Sequence, residues 1–430
     1  MKISILDNRG GVDMKNTKTV LKRVDYMRCD DLASYLNAMA LKGWHFKEWK
    51  LGLVFEKGES EEAIYAVEVF TEASENDTRP SPTTKEFAEY CEAAGWKLID
   101  GKQKYCIFKK IQADAVDILT PEERVNNAYK ATISGSNMSL LVLYGINACL
   151  QWLNFLSFFN NNIFSKSSIY SLVVWNLLFI SSLSKIITTY LKRNHLLKLV
   201  RNGEAIYIGT NRKFPINGTD IILALLICLL LYDFVEIGGI NSIIVTLVII
   251  LSSFILSWAI GKFRPDSDTH QIIQLFYGFA IFIFLIGFAG FNIISAPDEE
   301  PSVESVPLLA SDYKDSTESI EDINIYHNES MFGGYNTYFI WSENDTISYT
   351  IYRSDYKWIL NRIWEDELDK KVNENVSYCS ADWGAITAFK NNANEYLVRY
   401  DNTILIFRGY DDEDLTVDQI NVIRNKLDLR

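Results

Sequence analysis

The chain has 430 residues, 48% of them hydrophobic, and a formal charge of −13. That length allows two or three domains, and the acidic balance excludes a nucleic-acid-binding surface, which needs clustered Lys and Arg to displace counterions. Six cysteines (Cys29, Cys91, Cys106, Cys149, Cys228, Cys379) form no CxxC pair and no regular spacing, so they read as neither a zinc set nor a disulfide framework.

The first thirteen residues carry no apolar run after Lys2 and do not read as a signal peptide. Met14 is a candidate second translation start. From 14 to 115 the pattern is that of a small α+β domain. Thr19–Val24 is a short β-like run. Asp30-Asp31 then offers an N-cap, and Leu32, Tyr35, Leu36 and Met39 form one helical face that Gly43 ends. His45–Phe55 and Ala63–Thr71 alternate as strands, with a turn near Gly58 to pair them. After a polar loop from Asn76 to Pro82 the pattern restarts. Thr83-x-x-Glu86 reads as a capping box, Phe87, Tyr90, Cys91 and Ala94 as an apolar face, and Gly95 as a stop. Lys97–Ile99 and Lys104–Lys109 supply the final strand.

The two halves superpose. At an offset of 52, Tyr35, Met39, Gly43 and Trp44 fall on Phe87, Cys91, Gly95 and Trp96. With one further residue, Val54-Phe55-Glu56-Lys57 falls on Ile107-Phe108-Lys109-Lys110. Two tandem β-α-β halves predict a ferredoxin-like βαββαβ sandwich. In it Gly43 and Gly95 release the chain from each helix, while Trp44 and Trp96 bury indole area in the core. These four are structural expectations rather than ligand contacts.

The pattern YLNAMALKGWHF … LVFEK … IYAVEVF … EYCEAAGWKLI … YCIFKK resembles a bacterial membrane-protein family whose N-terminal domain has no known function. Its members are commonly encoded beside PadR-type transcriptional regulators. The likeness covers roughly residues 17–111 and implies a regulatory setting. It transfers no catalytic residue.

Residues 116–137 read as a juxtamembrane helix, opened by Thr120-Pro121-Glu122-Glu123. Within 138–295, five stretches reach spanning length: about 138–159, 168–191, 219–237, 240–261 and 271–295. The loop from Lys192 to Asn217 is basic, and the one after the fourth stretch holds Lys262 and Arg264, whereas the loop after the first has only Lys166. The positive-inside rule therefore predicts a cytoplasmic N-terminus and an extracytoplasmic C-terminus in a bacterial plasma membrane. Inside the spans, Lys185 is expected to snorkel. Asp233 and Glu236, one turn apart, mark a candidate polar membrane site, although such residues more often just end a span.

Residues 296–321 read as an acidic, flexible linker. Residues 322–430 read as a second α+β domain, and residues 298–430 hold 27 acidic against 12 basic residues. Strands are expected at Tyr335–Ile340 and Thr346–Tyr352, and a helix through Ile359, Leu360 and Ile363. A second helix is expected at Ala385–Phe389 and a hairpin from Glu395–Tyr400 to Thr403–Phe407. The capping box Thr416-x-x-Gln419 opens a last helix. Asp411–Asp414 reads as a solvated turn. Trp358, Trp364 and Trp383 lie in an aromatic-rich stretch that suits an envelope partner, with core packing as the alternative.

Phosphate-binding, dinucleotide and hydrolase motifs are absent, and the four histidines are scattered. The sequence thus points away from an enzyme and names no cofactor or metal. It favours a membrane sensor or regulatory adaptor, with the outer domain taking an envelope ligand and the inner one a cytoplasmic regulator. An accessory subunit of a transport or envelope-assembly complex is the alternative. A small-ligand-binding regulatory domain on a membrane anchor is the third reading.

Overall fold

The structure is a computed structural model that describes residues 16–22, 24–133, 136–210, 244–295, 302–314, 320–342, 346–370, 376–409 and 414–429. The predicted third span with Asp233 and Glu236, the alternative start at Met14 and the acidic turn 411–413 lie outside these residues. The chain divides into two compact units, Met1–Tyr144 with Leu177–Ile294 and Gly145–Asn176 with Ser295–Arg430.

The first unit opens with β1 (Thr17–Val20), α1 (Cys29–Ala40), β2 (Trp44–Trp49) and β3 (Leu53–Lys57). It continues with β4 (Tyr65–Val69), α2 (Pro82–Ala93), β5 (Trp96–Lys102) and β6 (Tyr105–Lys110). Helix α1 carries Asp30 and Asp31 in its first turn and buries Leu32, Leu36 and Met39. Helix α2 begins a residue or two earlier than its apparent capping box. Ser81 is the N-cap, accepting from Thr84 N, and Pro82 occupies the first turn. Tyr90, expected on its apolar face, is exposed.

The strand pairing departs from the predicted βαββαβ sandwich. Among the described residues the strands form two three-stranded antiparallel sheets, ordered β1-β3-β2 and β4-β6-β5. The run 45–55 is not one strand but a hairpin that reverses at Lys50–Gly52. β4 pairs with β6 rather than with β3. Each half is therefore β-α-β-β. The two hairpins also match in register. Trp44 pairs with Lys57 and Trp96 with Lys110, and each hairpin breaks register at the same place, Phe46/Glu48 and Leu98/Asp100. A bulge at a matched position kinks both hairpins alike.

Period-two alternation decides which side chain enters which core. On β6, Tyr105 and Ile107 join the larger core with Leu32, Leu36, Phe55 and Val67. Cys106 and Phe108 join a smaller core with Cys91 and Trp96, where the rings of Phe70 and Phe87 stack at 4.7 Å.

Helices α3 (Pro121–Ile133) and α4 (Ser136–Ser157) follow, then the short α5 (Phe159–Asn162), α6 (Lys166–Arg201), α7 (Ile244–Phe263) and α8 (Ser267–Ser295). Among the described residues four helical stretches, Pro121–Ser157, Lys166–Arg201, Ile244–Phe263 and Ser267–Phe288, are long and apolar enough to cross a membrane, and their apolar windows lie almost wholly on the outside. This is compatible with a membrane protein. With 36 residues, α6 is ~54 Å long, far more than the ~30 Å hydrocarbon layer.

The second unit holds a seven-stranded antiparallel sheet, ordered β10-β11-β12-β13-β9-β8-β7. Its strands are β7 (Ile320–Ser330), β8 (Gly333–Ser342), β9 (Thr346–Arg353), β10 (Ser377–Tyr378), β11 (Thr387–Lys390), β12 (Glu395–Arg399) and β13 (Thr403–Gly409). Helix α9 (Lys357–Asp369) contributes Ile359, Leu360 and Ile363 to the core on one face. Trp383, from the short α10 (Ser380–Trp383), and α11 (Val417–Lys426) contribute to the core on the other. The β12–β13 hairpin and the Thr416/Gln419 capping box form as the sequence indicates. Two expectations fail. Residues 387–390 are a strand, because Ala388 and Phe389 alternate between the two cores. The supposed linker is packed where it is described: Val306, Leu308 and Tyr313 are buried, and the Leu308 amide donates to the Tyr349 hydroxyl. Its acidic residues masked a short apolar anchor.

Candidate functional site

An arrangement of buried and half-buried charge lies where the first unit's α+β domain meets the segments continuous with its long helices. Helix α3 carries the predicted cap: Thr120 N donates to Glu123 Oε2 at 2.9 Å, and Glu123 N to Thr120 Oγ1 at 3.3 Å. It is not merely a connector, since Val125, Ala128 and Ala131 are buried in the larger core. Its Arg124 reaches inward, Nε donating to Glu68 Oε2 at 3.0 Å and Nη2 to Asp30 Oδ1 at 2.7 Å. Glu68 on β4 is only 5% exposed. Burial pushes its carboxyl up to about 7, and the Arg124 guanidinium offsets only part of that. Asp30 is held twice more, accepting from the Ile208 amide at 2.6 Å while its own amide donates to Ile208 O at 3.1 Å.

The far end of α6 enters the same core through Leu196 and Leu197, followed by Ile208. Lys192 Nζ donates to Met27 O at 2.7 Å and to Gly209 O at 3.2 Å. Arg193 donates to Asn126 Oδ1 through Nε and Nη2, and its guanidinium lies 4.7 Å from the Tyr129 ring centroid. A third clamp comes from the α7–α8 connection. Arg264 donates to Asp100 Oδ1 at 2.9 Å and to Thr78 O at 2.7 Å. Asp100, buried on β5, also accepts the Trp49 amide at 2.6 Å and so joins the two sheets. His270 Nδ1 lies 2.8 Å from Asn76 O.

Three cations from three segments, Arg124, Lys192 and Arg264, therefore end on carboxylates or carbonyls of one domain. Removing one partner of a buried ion pair costs about 3–5 kcal/mol, because the other charge stays unpaired.

Sequence reasoning did not find this joint. Lys192 and Arg264 entered only as loop charges, and Arg124, Glu68 and Asp100 not at all. The available signal was an acid inside an apolar strand, in Val67-Glu68-Val69 and Leu98-Ile99-Asp100. Of the four residues expected at the helix exits, both glycines have positive φ, and only one of the two tryptophans is buried. Gly43 has φ +73° and Gly95 φ +90°; Trp96 is buried and donates from Nε1 to Val116 O at 2.7 Å. Trp44 is half-buried, with Lys18 Nζ 5.6 Å from its ring centroid. The three outer tryptophans are not one surface. Trp383 is fully buried, Trp364 is buried against Phe389, and Trp358 alone is exposed, at 54%. Among the described cysteines, Cys29, Cys91 and Cys106 are buried, and burial pushes the half-buried Cys379 thiol up to about 11.

The class of protein this defines is a chain of two mixed α/β domains with membrane-length helices. Residues 28–143 match the family described as "Protein of unknown function (DUF2812)". That stretch contains Asp30, Glu68 and Arg124, so the matched region includes the α3 contacts as well as the N-terminal domain from α1 to β6, without β1. Comparison with curated proteins gave no match, and comparison with solved structures gave none.

Proposed function

We propose that this protein is an integral membrane sensor or regulatory adaptor, with the N-terminal domain in the cytoplasm binding a regulatory partner and the C-terminal domain outside meeting an envelope signal. One observation carries the reading: the N-terminal domain takes part of its core and three of its charged contacts from segments continuous with membrane-length helices. A flexibly tethered passenger needs none of these. The orientation is supported by charge, since the segments bearing Lys192, Arg193 and Arg264 belong to the N-terminal unit, and the 158–165 connection, with only Lys166 beside it, belongs to the C-terminal unit. The resemblance to a family encoded beside PadR-type regulators makes such a regulator the first partner to test.

The test is cross-linking of the cytoplasmic domain in cells, comparing the native chain with Arg124→Ala. Capture of a transcriptional regulator from the native chain, reduced at least several-fold by Arg124→Ala at equal protein level, supports transmission through the joint. Capture of transporter or envelope-assembly subunits alone would replace it with the accessory-subunit reading. An unchanged transcriptome after deleting residues 1–115 under envelope stress would refute a regulatory role.

A further inference from the structure

An unbroken series of aromatic rings runs from the last turns of α4 into the C-terminal domain. Trp152 and Phe155 approach to 6.3 Å between centroids, Phe155 and Phe159 to 5.9 Å, and Phe159 and Trp358 of α9 to 6.2 Å. All of these residues belong to the second unit. The tip of the β7–β8 hairpin is tied to the same connection, because Ser330 Oγ donates to Ile163 O at 2.8 Å. It is tied to α9 as well, with Phe332 and Tyr356 5.7 Å apart. Around this series four large side chains remain exposed: Phe158, Met331 at 72%, Tyr356 and Trp358.

We propose that this patch seats the C-terminal domain on the lipid headgroup–acyl boundary, so that Trp358 is a membrane anchor rather than an envelope-ligand contact. The inference rests on reading α4 and α6 as spans. Phe158 and Phe159 stand one and two residues beyond the end of α4, and Lys166 begins α6, so the connection between them lies at the bilayer surface. The ring series fixes Trp358 to that level, where indole and phenol favour the interface through an apolar body and a polar edge. The patch is thus continuous with the outward apolar surface of α4, where Leu150, Leu153 and Leu156 are exposed. Lipid is therefore the occupant that continuity selects.

The experiment places a fluorescent noncanonical amino acid singly at Met331 or Trp358 in the full chain. The protein is reconstituted in phosphatidylethanolamine/phosphatidylglycerol nanodiscs carrying a nitroxide near the headgroup end of the acyl chain. Controls replace Leu150 in α4 and the domain-surface residues Tyr378 and Ile386, all exposed. Quenching at 331 and 358 at least twofold above that at 378 and 386 is expected. Equal quenching at all four domain positions, with Leu150 quenched, overturns the anchor and leaves the membrane reading standing. An unquenched Leu150 overturns both. Probes at 331 and 358 that are shielded from water yet unquenched by lipid would mean that a protein or glycan covers the patch, and the proposal falls.

Discussion

The two folded domains differ in whose side chains build their centres. In the C-terminal domain the principal core is drawn from residues 306–429, and the helix connection contributes only to the second face, through Ile163 and Phe164. In the N-terminal domain the principal core itself contains Val125, Ala128, Ala131, Leu196, Leu197 and Ile208 from beyond β1–β6. Movement of a long helix therefore reaches the middle of one domain and only one face of the other. The largest expected effect follows from this asymmetry. Fully burying a large aliphatic side chain contributes about 1.5–3 kcal/mol. A fragment of residues 14–115 lacks Val125, Leu196, Leu197 and Ile208, a loss of roughly 6–12 kcal/mol, on the scale of a whole domain's stability. That fragment should lack dispersed NMR signals and a cooperative melt, whereas residues 302–430 should show both. A well-dispersed spectrum from 14–115 would abolish the distinction.

The sequence made the local elements of both domains legible but not their partners. Helical periodicity, the two Gly-Trp corners and the Thr416/Gln419 cap are short-range signals, and they led to α1, α2, α9 and α11 but not to the strand at 387–390. The hairpin inside 45–55 was hidden because Lys50-Leu51-Gly52 interrupts the alternation by too little to break it. The strand pairing was misjudged for a different reason: β3–β4 adjacency in the chain suggested a hairpin that β6 pre-empts by pairing with β4. The joint was least legible. Arg124 and Glu68 lie 56 positions apart, and Arg264 and Asp100 164 apart, so no local pattern connects them. The packing of Leu308 was likewise concealed by the charge around it.

The two helix exits of the N-terminal domain supply a comparison within it. A Cβ on Gly43 would lie 2.7 Å from Gly58 O, and one on Gly95 would lie 2.7 Å from Ala115 Cβ; both residues have positive φ. Gly43→Ala and Gly95→Ala should each cost about 1–3 kcal/mol from strain. Gly278→Ala in α8, where a Cβ meets nothing within 4 Å, should cost nothing measurable. Thermal inactivation of the full chain, read as proteolytic cleavage within residues 16–110, checks all three. If only one of the first two is costly, the halves are equivalent in register but not in energetics.

The smallest expected effect concerns the charge at the centre of that domain. Glu68 faces Arg124, Asp30 and Asp117, with Cys29, Cys91 and Cys106 close enough to be felt by its charge. Its folded pKa of about 7 lies above the ordinary glutamate value, so the folded state holds a proton that the unfolded chain has released. The Glu68 contribution to stability is then greatest below the unfolded value and falls as pH rises through the folded one. The slope within that window is at most about 1.4 kcal/mol per pH unit. Raising pH from 5 to 8 should lower the N-terminal domain's resistance to proteolysis, and Glu68→Gln should flatten the dependence. The local contact responds in the opposite sense, because a protonated Glu68 holds Arg124 less strongly, while Asp30 and the buried Val125, Ala128 and Ala131 still hold α3. Cross-linking of α3 to β4 through cysteines introduced at Asn127 and Ala66, compared at pH 5 and pH 8, separates the two. Cross-linking that stays constant while the proteolytic midpoint moves would show that Glu68 tunes stability alone, without loosening the joint.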